Sequence, residues 1–317
     1  MIQDFSIPEA LVRADFTRLV FHLSFHDGFA LNLEAILRLR RGLLLAAEEI
    51  DRRQNGPVPV ATELFDPPLP LDPVARRRFQ RPSPAFVIRP PLRQMGAIAA
   101  GETVALDVLF FGNGIGQIPL FLQVLDHLGG HGFFLGKGHF HTARIDVVDA
   151  SGCPQPAWTA GEEMTTLVPL VCECRWWLQT RRIDSTQLTL DLQTPMRLLS
   201  TSRPLFHPDF GQMFPFMLRR VTSMLYAHCD LEVDLDPGLL LETAQAVACV
   251  AQDLRWEDWR TLSGKQDLGG VVGRLTLAGD GLAELVWVIE LAALMQVGKG
   301  ATYGAGYYEI VTDAHGG

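Results

Sequence analysis

Lysine is nearly missing from this chain of 317 residues: Lys137, Lys265 and Lys299 stand within a combined lysine and arginine count of 27. Positive charge is therefore carried by arginine, whose planar fork of donors suits phosphates and base faces better than an ammonium does. It falls in clusters: Arg38, Arg40 and Arg41; Arg76, Arg77, Arg78 and Arg81; Arg181 and Arg182; Arg219 and Arg220. The formal net charge of −9 excludes attraction to a polyanion through the bulk field, so any such contact has to be local.

Long hydrophobic runs are also absent. The most apolar helical stretch, Leu282 to Val297, contains Glu284 and Glu290 and is too short to span a bilayer comfortably. The start, Met1-Ile2-Gln3-Asp4, has neither the basic region nor the apolar core of a secretory signal, so the expected location is cytoplasmic. Cysteine is scarce, odd in number and scattered: Cys153, Cys172, Cys174, Cys229 and Cys249. After the one close pair, Cys172 and Cys174, no second pair or His-x3-His follows at zinc-site spacing. No metal, disulfide or other cofactor is expected. What is abundant is core: 48% hydrophobic against 20% charged residues, enough for two globular domains.

The chain is written twice. Gly130, Gly132, Gly136 and Gly138 read G-x-G-x-x-x-G-x-G, and Gly298, Gly300, Gly304 and Gly306 repeat the spacing at an offset of 298 − 130 = 168. An apolar helical pattern precedes each run, Gln117 to Leu128 and Gly281 to Val297, and a strand pattern follows. Thr17 to Phe25 and Ser185 to Leu192 alternate apolar and polar residues as half-buried strands do. Helices are expected over Leu33 to Asp51 and Asp209 to Cys229. Strand pairs follow, over Ala85 to Pro90 with Thr103 to Phe111, then Ala246 to Arg255 with Gly270 to Leu277. Each half thus reads βαββαβ, an α+β tandem of ferredoxin-like domains with a glycine-rich loop before each last strand. The expected boundaries are 1–150, a linker region at 151–183, and 184–317. Between Asn55 and Pro84 the proline density predicts an extended crossover without regular structure.

Glycine supplies positive φ where a helix turns straight into a strand, which accounts for one or two glycines per loop. Four at fixed spacing also keep backbone N–H groups uncovered, and successive bare amides bind anions. Lys299, Thr302 and Tyr303 add a cation and two hydroxyls to the second loop. The run Gly112-Asn113-Gly114-Ile115-Gly116 lacks dinucleotide-fingerprint spacing and reads as a turn.

Trp259-Arg260-Thr261-Leu262-Ser263-Gly264-Lys265-Gln266, then Leu268-Gly269-Gly270-Val271-Val272-Gly273, then Val297 through Tyr307, resemble the CRISPR-associated pre-crRNA-processing endoribonucleases of the RAMP superfamily. Thr194-Pro195-Met196-Arg197-Leu198 and Leu218-Arg219-Arg220 also look like family elements; Lys265 stands where the family pattern carries arginine. The resemblance implies metal-independent cleavage of CRISPR repeat RNA, with the ribose 2′-hydroxyl attacking the phosphate to leave a 2′,3′-cyclic phosphate. It implies crRNA and other effector subunits as partners and a catalytic histidine in the first half near its first helix, which points to His26 and, behind it, His22. These two fall at an even offset on the polar face opposite Leu19, Phe21, Leu23 and Phe25, where each is otherwise a solvated strand residue. His139 and His141 share a face after the first loop. The expected RNA contacts are Gly298, Lys299, Gly300, Thr302, Tyr303, Gly304 and Gly306, with Arg219, Arg220, Lys137 and His139. Arg219 and Arg220 are about 100° apart on a helix, so one of them is expected to cap or pair structurally. Two other functions fit the same pattern: a non-cleaving RAMP subunit that binds crRNA, and a ferredoxin-like tandem with no RNA role.

Overall fold

The computed structural model describes residues 5–54, 56, 58–71, 73, 82–134, 136–259 and 268–311. The arginine cluster at 76–81 and the tract 260–267, including Lys265, lie outside them. The chain divides into two compact units: Asp15–Cys172 with Ala227–Cys229, and Met1–Ala14, Glu173–Tyr226 and Asp230–Gly317.

The first unit contains β1 (Asp15–Phe25), β2 (Phe29–Leu31), α1 (Leu33–Gln54), α2 (Val60–Phe65), β3 (Phe86–Arg89), β4 (Gly96–Ile98), β5 (Thr103–Phe111), α3 (Ile118–His131), β6 (Phe140–Val148) and β7 (Pro154–Thr159). Its main sheet runs β3-β5-β1-β6-β7, every pair antiparallel. Alternation along β1 buries Leu19, Phe21, Leu23 and Phe25 on one face and leaves Arg18, His22 and Ser24 on the other. Phe121 of α3 packs onto the buried face, its ring 5.0–5.7 Å from Phe21, Phe65, Phe86 and Phe110. Burial of each such ring contributes on the order of 2 kcal/mol, which anchors the helix to the sheet.

The second unit continues with β8 (Cys172–Glu173, shared at its start with the first), α4 (Cys174–Thr180), β9 (Gln187–Met196), β10 (Leu199–Ser200), β11 (Arg203–Pro204), α5 (Phe210–Cys229), α6 (Pro237–Ala246), β12 (Ala248–Trp259), β13 (Leu268–Ala278), α7 (Leu282–Met295) and β14 (Tyr308–Val311). Its sheet order is β12-β13-β9-β14, again antiparallel. If the four main strands of each unit are numbered in chain order, both sheets read second, third, first, fourth. The duplication of sequence is thus a duplication of topology, consistent with a tandem ferredoxin-like fold. Asp209 starts α5 with a capping box to Gln212, and α7 is buried along nearly its whole length. Inside it Glu290 pairs with Arg181 at 3.2 Å; burial raises the carboxyl's pKa and the guanidinium only partly offsets that.

The division between the units at Cys172 and Glu173 falls inside the stretch 151–183, which also contains β7, paired with β6, and α4. One expectation needs correction. The proline-rich crossover holds a helix, α2, because the Asp51 carboxylate accepts the Ala61 and Thr62 amides at 2.9 and 2.7 Å and supplies a cap from outside the segment. No described helix is long and apolar enough to cross a membrane.

Candidate functional site

The end of the β1–β6 ladder gathers histidine. Ser24 pairs with His141 in register, and the His26 amide donates to the His139 carbonyl at 2.7 Å, extending the ladder past β1. His26 and His141 therefore project side by side. Their rings stack at 4.9 Å and 16°, and His26 Nε2 lies 3.1 Å from His141 Nδ1; both residues are exposed. A hydrogen bond between two ring nitrogens needs an N–H on one and a lone pair on the other, so one ring donates and its partner accepts.

Asp27 buttresses this end. Its carboxylate accepts the His139 amide at 2.6 Å and the Gly138 amide at 3.0 Å, and meets His139 Nδ1 at 3.1 Å. Burial works to raise its pKa, but these bonds prevail and hold it below the usual carboxylate value. His139 is thereby half-buried and committed to Asp27. His22, the second histidine expected in catalysis, is committed too: its Nε2 lies 2.8 Å from buried Asp146, which also binds Arg144 at 2.8 Å. The structure pairs His26 with His141 rather than with His22.

The glycine loops are not the bare amide cradles the spacing suggested. In the first, Phe133–Phe134 and Lys137–Gly138 pair as the arms of a small hairpin: Phe133 donates to Gly138, and Phe134 and Lys137 exchange both backbone bonds. Gly132, Gly136 and Gly138 have φ between 70° and 88°, and a Cβ on Gly138 would run into the Phe29 ring. Lys137 is left exposed at the hairpin.

The second loop arches over the end of β9. Lys299 donates its amide to Arg197 O at 3.0 Å, Gly306 to Pro195 O at 3.1 Å, and Ala305 to Gly300 O at 3.3 Å. The Thr194 hydroxyl donates to Gly304 O and accepts the Tyr307 amide, both at 2.8 Å. A Cβ on Gly298 would strike the Arg197 backbone, and one on Gly306 the Val297 carbonyl. Gly270 is equally tight against Pro195–Arg197. Thr302 and Tyr303, expected to offer hydroxyls to a ligand, are 5% and 8% exposed, and Gly304 and Gly306 are buried. Lys299 and Gly300 form the accessible tip.

Of the adjacent arginines, Arg220 donates Nε and Nη2 to Met295 O at 3.1 and 2.9 Å, capping the end of α7. Burial pulls its pKa down to about 10, still charged at neutral pH. Arg219 is exposed, with its guanidinium 5.3 Å from the Phe216 ring. Beside the arch, the Arg197 guanidinium sits 5.9 Å from the Trp256 ring, which in turn lies 4.5 Å from exposed Phe206. Sequence reading passed over these two aromatics; the available signal was a tryptophan between Arg255 and Glu257 on a polar strand.

Residues 190–308 match the family model described as CRISPR-associated endoribonuclease Cas6. By that match the second half of the chain is similar to the Cas6 family. The match covers β9 through the arch, and residues 55–170 match a second model, the AF_1859 N-terminal domain. Among solved structures, the Cas6 TTHB231 product complex aligns with a TM-score of 0.57 at 17% identity, covering 93% of this chain and 99% of that one. The Thermus thermophilus Cas6 TTHB231 structure aligns at 0.53 and 16% identity, covering 94% and 99%. The Cas6 TTHA0078 product complex gives 0.54, 16%, 94% and 100%. At these identities the alignments speak for fold, and they extend the Cas6 architecture over nearly the whole chain. No curated protein sequence matches.

Proposed function

We propose that this chain cuts CRISPR repeat RNA without a catalytic metal, using His26 and His141 as its proton-transfer pair. One observation carries the chemistry: two exposed imidazoles lie within hydrogen-bond reach of each other at the end of the central strand. The lone-pair nitrogen takes the proton of a ribose 2′-hydroxyl as O2′ bonds to the adjacent phosphorus. The P–O5′ bond breaks, and the partner imidazole returns a proton to O5′. The products are a 2′,3′-cyclic phosphate and a 5′-hydroxyl, with nothing oxidised or reduced. Histidine suits both roles because its ordinary pKa is near 6.5. Lys137 stands two residues before His139 on the hairpin and offers a cation to the crowded phosphate.

Binding is supported by the second unit. Lys299 and Gly300 at the arch tip, exposed Arg219, and the Arg197–Trp256–Phe206 group offer cations and ring faces to single-stranded RNA. The test is incubation with end-labelled repeat RNA in EDTA. One specific cut leaving a cyclic phosphate is expected. Binding that falls with salt but brings no cut would transfer the chain to the non-cleaving RAMP reading, and no binding at low salt would remove RNA altogether.

A further inference from the structure

Away from the sheet end, His127 and His131 lie four residues apart on α3 and so share one helix face. Glu49 of α1 meets them there. His127 Nε2 is 2.9 Å and His131 Nε2 3.4 Å from the same Glu49 oxygen, Oε2. The ligand atoms of all three lie within 4.8 Å of one another.

The hydrogen bonding fixes what these atoms offer. His131 Nδ1 is 3.0 Å from the His127 carbonyl. A carbonyl only accepts, so Nδ1 bears the proton, and Nε2 is the nitrogen turned to Glu49. Protonated, it donates to the carboxylate; deprotonated, it offers its lone pair to a cation held between the two. The carbonyl-bound Nδ1 with a free Nε2 is the arrangement that orients histidine ligands in metal sites. The spacing agrees: zinc–ligand bonds of 2.0–2.1 Å at tetrahedral angles separate neighbouring ligand atoms by about 3.3 Å. The 3.4 Å contact fits as it stands, and the 2.9 Å contact needs a few tenths of an ångström of widening.

We propose that Glu49, His127 and His131 bind a zinc-class divalent transition metal that clips α1 to α3. Side-chain exposures of 33%, 16% and 56% leave one side open, so water completes the coordination. The nearby cations, Arg38 and Arg41 in one adjoining cleft, Arg53 in another and Arg52 close to Glu49, are arginines and do not compete as ligands. The metal is structural here: the proposed proton transfer uses other histidines, and this inference does not rest on the RNA reading.

The test uses the tag-free full chain after exhaustive chelation. Calorimetric titration with Zn²⁺ should show one equivalent bound, Co²⁺ should give the intense visible bands of a tetrahedral site, and Zn²⁺ should raise the thermal midpoint. His131→Ala and Glu49→Gln should each weaken Zn²⁺ binding by roughly tenfold or more, as loss of a ligand is at least as costly as loss of an orienting partner. His131 is exposed, so its variant should fold, and circular dichroism checks that it does. A wild-type chain that binds no Zn²⁺ at millimolar metal overturns the proposal. So does an isotherm that both variants leave unchanged, which would place the ion elsewhere.

Discussion

His26 and His141 face each other ring to ring, 4.9 Å apart, although 115 residues separate them in the chain. The register of β1 against β6 brings them together, with Asp27 holding the Gly138 and His139 amides at that end of the sheet. Removing either imidazole should remove a proton-transfer role while leaving the RNA-binding surface intact. His26→Ala and His141→Ala are each expected to slow single-turnover cleavage by roughly 10²–10⁴-fold, with RNA affinity unchanged. His22→Ala should cost stability through Asp146 instead of chemistry. Full cleavage by both the His26 and His141 variants would reject the pair as catalytic.

Arg219 and Arg220 are neighbours with opposite expected effects. Losing Arg220 strips two donors from the Met295 carbonyl, so Arg220→Ala should destabilise the chain by roughly 1.5–3 kcal/mol in urea unfolding. Arg219→Ala should leave stability within about 0.5 kcal/mol. It should instead weaken RNA binding and reduce the slope of log affinity against log salt by about 1. Equal stabilities for the two variants would contradict the cap.

The glycines divide by what a methyl group would meet. Gly136 has φ +72° with open space around its missing Cβ, so Gly136→Ala should cost only left-handed strain, about 1–2 kcal/mol. Gly306→Ala adds collision with the Val297 carbonyl to its strain at φ +65° and should cost more than about 3 kcal/mol or fail to fold. Unfolding midpoints in urea rank them, and similar midpoints would mean that the arch yields more than its packing implies.

Glu290 offers a pH test. Its carboxyl pKa is raised in the fold by burial, so the charged form is disfavoured there relative to the unfolded chain. The stability it contributes is fully present below its unfolded pKa, near 4.3, and is lost as pH rises through the higher folded value. Glu290→Gln cannot ionise, so wild type should lose stability relative to the variant between acid and neutral pH. Parallel unfolding curves across that range would show that Arg181 fully compensates the charge.

Local regularities were legible without coordinates. Period-two alternation in β1 and β9, apolar periodicity in α3 and α7, and four glycines repeated at one offset are properties of neighbours in the chain, and they specify two βαββαβ units. The second-third-first-fourth strand order then follows from that topology. The reach of α2 was hidden because its cap, Asp51, belongs to the preceding helix.

What a residue does depends on which distant atoms arrive beside it, and only the tertiary structure decided that. The sequence put His26 and His141 on the faces of expected strands, while the expected helix stopped at Leu128, short of His131. Folding decided that the first pair meets ring to ring across two strands while His127 and His131 meet a glutamate from a different helix. It also tied most amides of the duplicated glycine loops to the protein's own carbonyls, since a backbone donor buried without a partner costs too much to leave open. Spacing reports where backbone is free to turn; whether its hydrogen bonds are left for a ligand depends on what packs against it.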